Sequence, residues 1–87
     1  MWFVYVLRCA DNSLYIGQTN DILTRLARHN EGLASAHTAI RCPVRLVYTE
    51  KYESQSDSLK RERQLKRWTR AKKEALIIGD KVALKRL

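Results

Sequence analysis

Residues 2–18 read Trp2-Phe3-Val4-Tyr5-Val6-Leu7-Arg8-Cys9-Ala10-Asp11-Asn12-Ser13-Leu14-Tyr15-Ile16-Gly17-Gln18. Residues 2–9 are mostly apolar, aromatic and β-branched, the composition of a buried strand. Asp11-Asn12-Ser13 is turn chemistry, because short polar side chains bond their own backbone. Residues 14–18 read as a second strand, so the stretch is a hairpin.

Working outward, Thr19-Asn20-Asp21 offers N-cap side chains. Ile22, Leu23, Leu26 and Leu33 then recur at roughly helical spacing, and Gly32 is a natural terminator. The pattern predicts a helix over 21–31. Residues 34–43 look like a loop ending at Pro43. Val44 to Thr49 reads as a third strand that continues to about Tyr52. Ser54 or Ser56 caps a helix over 55–67. Thr69 caps another over 70–78, ended by Gly79. The order is β-β-α-β-α-α, which predicts an α+β domain. Its architecture is a small three-stranded antiparallel sheet flanked by helices. Residues 1–79 form one domain on this reading, and 80–87 a basic tail, partly ordered at best.

Composition sets the outer limits. The chain has 87 residues, one domain's worth. At that size folding buries only roughly 60–65% of the surface the unfolded chain exposes, so the core is thin. Two cysteines, Cys9 and Cys42, match no zinc spacing and read as free thiols in a reducing cytoplasm. No apolar run approaches the roughly 18–20 residues that span a bilayer. The start lacks a basic leader and a small-residue cleavage site, which points to a cytoplasmic chain.

The formal net charge is +8. Residues 60–73 hold eight cations against one anion and carry nearly all of it. The cations are Lys60, Arg61, Arg63, Lys66, Arg67, Arg70, Lys72 and Lys73. Such a segment suits counterion release from a phosphate backbone. Arg28, Arg41 and Arg45 extend it. A membrane surface fits less well, because no wide apolar face opposes the charges.

The anion in that segment is Glu62. Projected at about 100° per residue, it falls midway between Leu59 and Leu65 on the inward stripe. Burying an unpaired carboxylate costs several kcal/mol. One resolution is a structural salt bridge, to Arg25 or a neighbouring arginine. Another is a divalent cation between the carboxylate and a phosphate, since Mg²⁺ is commonly held by few carboxylates, waters and phosphate oxygens.

Tyr5 and Tyr15 sit on the two hairpin strands, close enough to share a face. Gly17 lies two residues after Tyr15, where a missing side chain leaves room for another group. Arg25 and His29 are i,i+4 neighbours on the next helix. Singly, each has a structural reading: packing for the tyrosines, a core or surface site for His29, a bulge for Gly17.

As a set they resemble the GIY-YIG nuclease family. Val4 and Tyr5 match the last two letters of its first motif. Tyr15-Ile16-Gly17 matches the second in full. Arg25 falls at the family's conserved arginine, His29 follows four positions on, and Glu62 falls at its metal-binding glutamate. The resemblance covers about residues 2–78 and is strongest to the small stand-alone UPF0213-type members, through Leu7 to Asp11 and Pro43 to Tyr48. Phe3 stands where the first motif has glycine, and the late asparagine of many members is absent. Gln18 stands where some members carry lysine, which leaves phosphate contact weaker or shifted to Arg67 or Arg70.

The resemblance implies a metal-dependent endonuclease acting on nucleic acid, DNA first. Its catalytic residues would be Tyr5, Tyr15, Arg25, His29 and Glu62, with one Mg²⁺ or Mn²⁺ on Glu62. Gly17, Gln18, Arg28, Lys66, Arg67 and Arg70 would meet the substrate. No obligate protein partner is implied, and the chain is expected to be a monomer or weak dimer. On the residues alone two alternatives stand. One is a non-catalytic nucleic-acid-binding module of the same fold. The other is an interaction domain whose basic helices meet an acidic protein.

Overall fold

The computed structural model describes residues 1–86. The elements are β1 (Trp2–Arg8), β2 (Leu14–Thr19), α1 (Ile22–Asn30), α2 (Ala36–Ala39), β3 (Arg45–Tyr52), α3 (Gln55–Lys66), α4 (Arg70–Ile78) and α5 (Lys81–Arg86). The three strands are antiparallel in the order β2-β1-β3, the α+β arrangement expected. The β1–β2 hairpin turns through Asn12 at φ 71°, a left-handed conformation that asparagine tolerates.

Because β1 is central and side chains alternate along a strand, its residues divide two cores. Val4 and Val6, with Ile16, face the fully buried Leu65 of α3. Leu76 and Ile77 of α4 close over that side. Tyr5, Leu7 and Cys9, with Val44, face the other way, against Ile22 and Leu26 of α1. β1 pairs with β2 in regular register, Tyr5 opposite Gly17 and Val6 opposite Ile16. The pairing with β3 is irregular between Val6 and Leu7.

Local chemistry explains the helix starts. Side chains of Asp21, Ser54 and Thr69 each accept a backbone N–H from the first turn of α1, α3 and α4. Gly79 ends α4 at φ 75°, and Gly32 follows α1 at φ 78°.

The structure corrects three expectations. The 34–43 segment is not all loop: Ser35 caps the four-residue α2. The tail is helical over Lys81–Arg86, with Asp80 accepting from the Ala83 N–H at 3.0 Å. Leu87 lies outside the described residues. Finally, Leu23 and Leu33 are exposed, not part of the inward stripe. Ile22, Leu26 and His29 define that stripe at i, i+4 and i+7, which leaves Leu23 about 100° off it. Leu33 comes after Gly32 has already turned the chain out of the helix. Among the described residues no helix is long and apolar enough to cross a membrane.

Candidate active site

The site is built on the α1 face of the sheet. The Tyr5 phenol crosses over Gly17, occupying the space where a side chain at position 17 would begin. The glycine therefore marks a close approach rather than a bulge. At the far end of the phenol, the hydroxyl lies 2.9 Å from Nε2 of His29. His29 is fully buried on α1, and its Nδ1 lies 2.8 Å from Oγ1 of Thr38, also fully buried. Tyr15 is the diagonal neighbour of Tyr5 on the same face. Its ring packs edge-on to His29, with centroids 4.9 Å apart, and lies 6.4 Å from the ring of Tyr5.

Burial pushes the Tyr5 phenol well above its ordinary value. The Tyr15 and Glu62 charges push the same way, while Arg25 opposes them. Burial lowers the His29 imidazole, and Arg25 lowers it further. At neutral pH the pair is a protonated phenol beside a neutral imidazole.

Arg25 sits one turn before His29. Among the described residues its guanidinium has no hydrogen-bond or ion-pair partner, and it lines an open hollow of about 400 Å³ with Thr19, Asn20, Thr24, Arg28 and Asp21, whose carboxylate accepts from Thr24. That hollow has the size and the donors to take a phosphate group.

Glu62 is on α3, which covers the opposite face, yet its charge acts on the Tyr5 hydroxyl. Its side chain is only 16% exposed, between Leu59 and the buried Leu65. The ion pair expected with Arg25 or a neighbouring arginine is instead with Lys66, at 3.5 Å across one helical turn. Arg61 is unavailable because it grips Glu50 through Nε and Nη2 at 2.8 and 2.9 Å. Lys66 is 53% exposed, so Glu62 keeps oxygen lone pairs for another cation. No group of three or more metal-ligating side chains occurs among the described residues. A lone half-buried carboxylate fits Mg²⁺ or Mn²⁺ when phosphate and water supply the other ligands.

The remaining expected substrate contacts are dispersed. Gln18 projects to the α3 face, opposite to Tyr15 and Gly17, and its buried Oε1 has no hydrogen-bond partner. Arg67 lines a shallow groove on α3 with Lys60, Arg63, Gln64 and Trp68. Arg70 donates to the Asn12 carbonyl at 2.6 Å and to Glu74 at 3.1 Å. Arg8 holds Glu74 from the other side at 2.6 Å. Arg61 and Lys72 flank the ring of Trp68. The basic segment is thus partly an internal clamp and partly an outward surface.

Two side chains beside the site went unread in the sequence, His37 and Thr38. His37 stacks on Tyr15 with centroids 6.1 Å apart and meets the Ser13 hydroxyl at 3.0 Å. The usable signal was Ser35, an N-cap residue three positions before Thr38.

Comparison with known proteins places the chain in a family. A model of the GIY-YIG catalytic domain matches residues 1–75. UPF0213 proteins from two Staphylococcus aureus strains are each 48% identical over 75 residues, covering 86% of this chain and 92% of theirs. The solution NMR structure of a UPF0213 protein from Bacillus halodurans shares the fold at a TM-score of 0.60 and 36% identity. That match covers 92% of this chain and 86% of the other. The chain belongs to the GIY-YIG family, a family of nucleases, and is similar to its UPF0213 proteins.

Proposed function

We propose that the protein is a divalent-metal-dependent endonuclease that hydrolyses phosphodiester bonds in DNA, with structure-specific cleavage during repair or recombination as its setting. The observation that carries this reading is the 2.9 Å contact of Tyr5 with His29, beside an unpartnered Arg25. Two proton-handling groups then lie within the electrostatic reach of a candidate phosphate holder one helical turn from His29.

A water attacking phosphorus must lose a proton. Tyr5 is protonated at rest, so its oxygen takes the water's proton while its own passes to Nε2 of His29. The water O–H bond breaks, the new O–P bond forms, and the imidazole becomes imidazolium. The P–O3′ bond breaks, the departing oxygen is protonated from solvent, and the extra proton on buried His29 returns through the Tyr5 hydroxyl, which releases one to solvent. Arg25 and Arg28 hold the phosphate oxygens with their planar forks. Tyr15 keeps the imidazole plane turned toward Tyr5. Glu62 is the residue that would hold one Mg²⁺ or Mn²⁺, and that ion would neutralise charge on the phosphate and the departing oxygen. Lys60, Arg63 and Arg67 carry the flanking backbone. Residues 1–79 are the working unit, cytoplasmic and acting as a monomer or weak dimer without an obligate protein partner.

The test is a panel of labelled branched, nicked, single-stranded and duplex DNA, with matching RNA, in Mg²⁺, Mn²⁺ or EDTA. Cleavage that needs the metal and disappears in a folded Glu62→Ala variant supports the reading. Salt-sensitive binding without any product would make the protein a binding module instead. A Glu62→Ala variant that cuts as well as wild type would remove the metal assignment.

A further inference from the structure

We infer that Thr38 is a positioning residue that fixes the tautomer of His29, leaving Nε2 as the lone pair that faces the Tyr5 hydroxyl. The inference rests on the proposed role of Tyr5 and His29.

Three protons have to be placed among the buried side chains: one on the Tyr5 hydroxyl, one on the neutral imidazole, one on the Thr38 hydroxyl. The Thr38 hydroxyl lies 2.8 Å from Nδ1 of His29 and 3.3 Å from both the carbonyl oxygen and Oγ of Ser35. The Ser35 carbonyl can only accept, and Ser35 Oγ already accepts the Thr38 backbone N–H at 3.2 Å. With the imidazole proton on Nδ1, every donor has an acceptor. Nδ1–H donates to Thr38, Thr38 donates to the Ser35 carbonyl, and Tyr5 donates to Nε2.

With the proton on Nε2 the chain reverses. His29 then donates to Tyr5, and Thr38 donates to Nδ1. The Tyr5 proton is left with no protein acceptor among the described residues, in a residue only 3% exposed. Leaving a buried hydroxyl proton unmatched is the costly arrangement. That tautomer would also close Nε2 to an incoming proton.

The surroundings hold Thr38 in place. Ser35 caps α2 from one side. On the other, the Cys42 thiol lies 3.1 Å from the carbonyl oxygens of both His29 and Thr38, tying α2 to the end of α1. His29 and Thr38 are both fully buried, so solvent has no route to stand in for the hydroxyl.

The experiment reads the imidazole directly. Long-range ¹⁵N–¹H NMR on the labelled full chain, without nucleic acid, should show His29 protonated at Nδ1. In Thr38→Val the pattern should shift toward Nε2–H, and Thr38→Ser should restore it. Cleavage by Thr38→Val should fall about ten- to hundredfold in kcat with KM unchanged, the size of loss typical when a supporting hydrogen bond is removed. Thr38→Ser should recover most of that loss. A wild-type spectrum showing Nε2–H, or a folded Thr38→Val whose His29 spectrum is unchanged, overturns the inference. The wild-type spectrum alone decides the tautomer even if Thr38→Val does not fold. Absence of any cleavage by wild type would count against the nuclease reading and leave this readout intact.

Discussion

Gly17 stands directly across the β1–β2 ladder from Tyr5, and the Tyr5 phenol fills the space that any other residue at 17 would claim. The second family motif therefore shapes the first. Its glycine is the floor on which the first motif's tyrosine lies while reaching His29.

Gly17→Ala should push the Tyr5 ring off that floor and break its contact with His29. We expect kcat to fall about 100-fold or more, since displacements near 1 Å at a reacting group have that effect. Overpacking should cost about 1–3 kcal/mol of stability. Cleavage kinetics and urea unfolding measure the two losses, and wild-type activity in the alanine variant would show that the contact is dispensable.

His29 should leave a signature in the pH dependence of stability. Its imidazole titrates below the ordinary 6.5 in the folded chain. Between the folded value and 6.5 the unfolded chain binds more protons. The contribution is complete above 6.5 and is lost as pH falls toward the folded value, with a slope of at most about 1.4 kcal/mol per pH unit. Urea unfolding from roughly pH 5 to 8 should show this slope, and His29→Gln should flatten it. The groups facing the imidazole are Tyr5, Tyr15, Arg25 and Thr38, so each must stay intact in that comparison.

The two faces of the sheet should be separable by mutation. Leu65 is fully buried on the face opposite His29. Leu65→Ala should cost about 2–5 kcal/mol in urea unfolding. Because Glu62 is a neighbour of Leu65 on α3, kcat is not the readout; the folded fraction should keep the wild-type His29 ¹⁵N–¹H pattern, and a changed pattern would mean that the faces are coupled.

The basic segment should split into two classes. Arg61 is tied to Glu50, whose carboxyl burial pushes up but whose bonds from Arg61, Tyr48 and Tyr52 hold below the usual range. Arg61→Ala should therefore cost about 2 kcal/mol of stability, the worth of charge-assisted hydrogen bonds. Arg67→Ala should change stability by no more than about 0.5 kcal/mol. It should weaken DNA binding and reduce the slope of log K against log salt by about 0.9. Anisotropy titrations at several KCl concentrations distinguish the classes; equal slopes for wild type and Arg67→Ala would take that residue off the backbone.

Much of the fold was legible because its signals are local. Asp21, Ser54, Thr69 and Gly79 each mark a helix end by bonding within three or four residues. The hairpin announced itself through alternation and a polar turn. Tyr5, Tyr15, Gly17, Arg25 and His29 do converge, because ladder register and helical spacing are short-range rules. What escaped was nonlocal or short. α2 has four residues, too few to show a period. The bond from Thr38 to His29 spans nine positions and needs the chain reversal between α1 and α2. Counting charges could not reveal that Glu50 and Glu74 hold Arg61 and Arg70 from within.

The alternation of β1 limits how this protein can change. Val4 and Val6 hold one side while Tyr5, between them, serves the other. Deleting or inserting a single residue in this strand would turn the valines toward His29 and bury the phenol under α3. Sequence drift in β1 is thus confined to like-for-like replacement, whereas the Ala10–Ser13 turn can lengthen without transposing either side. Differences in length among such small domains should fall outside the central strand, and hardly at all within it.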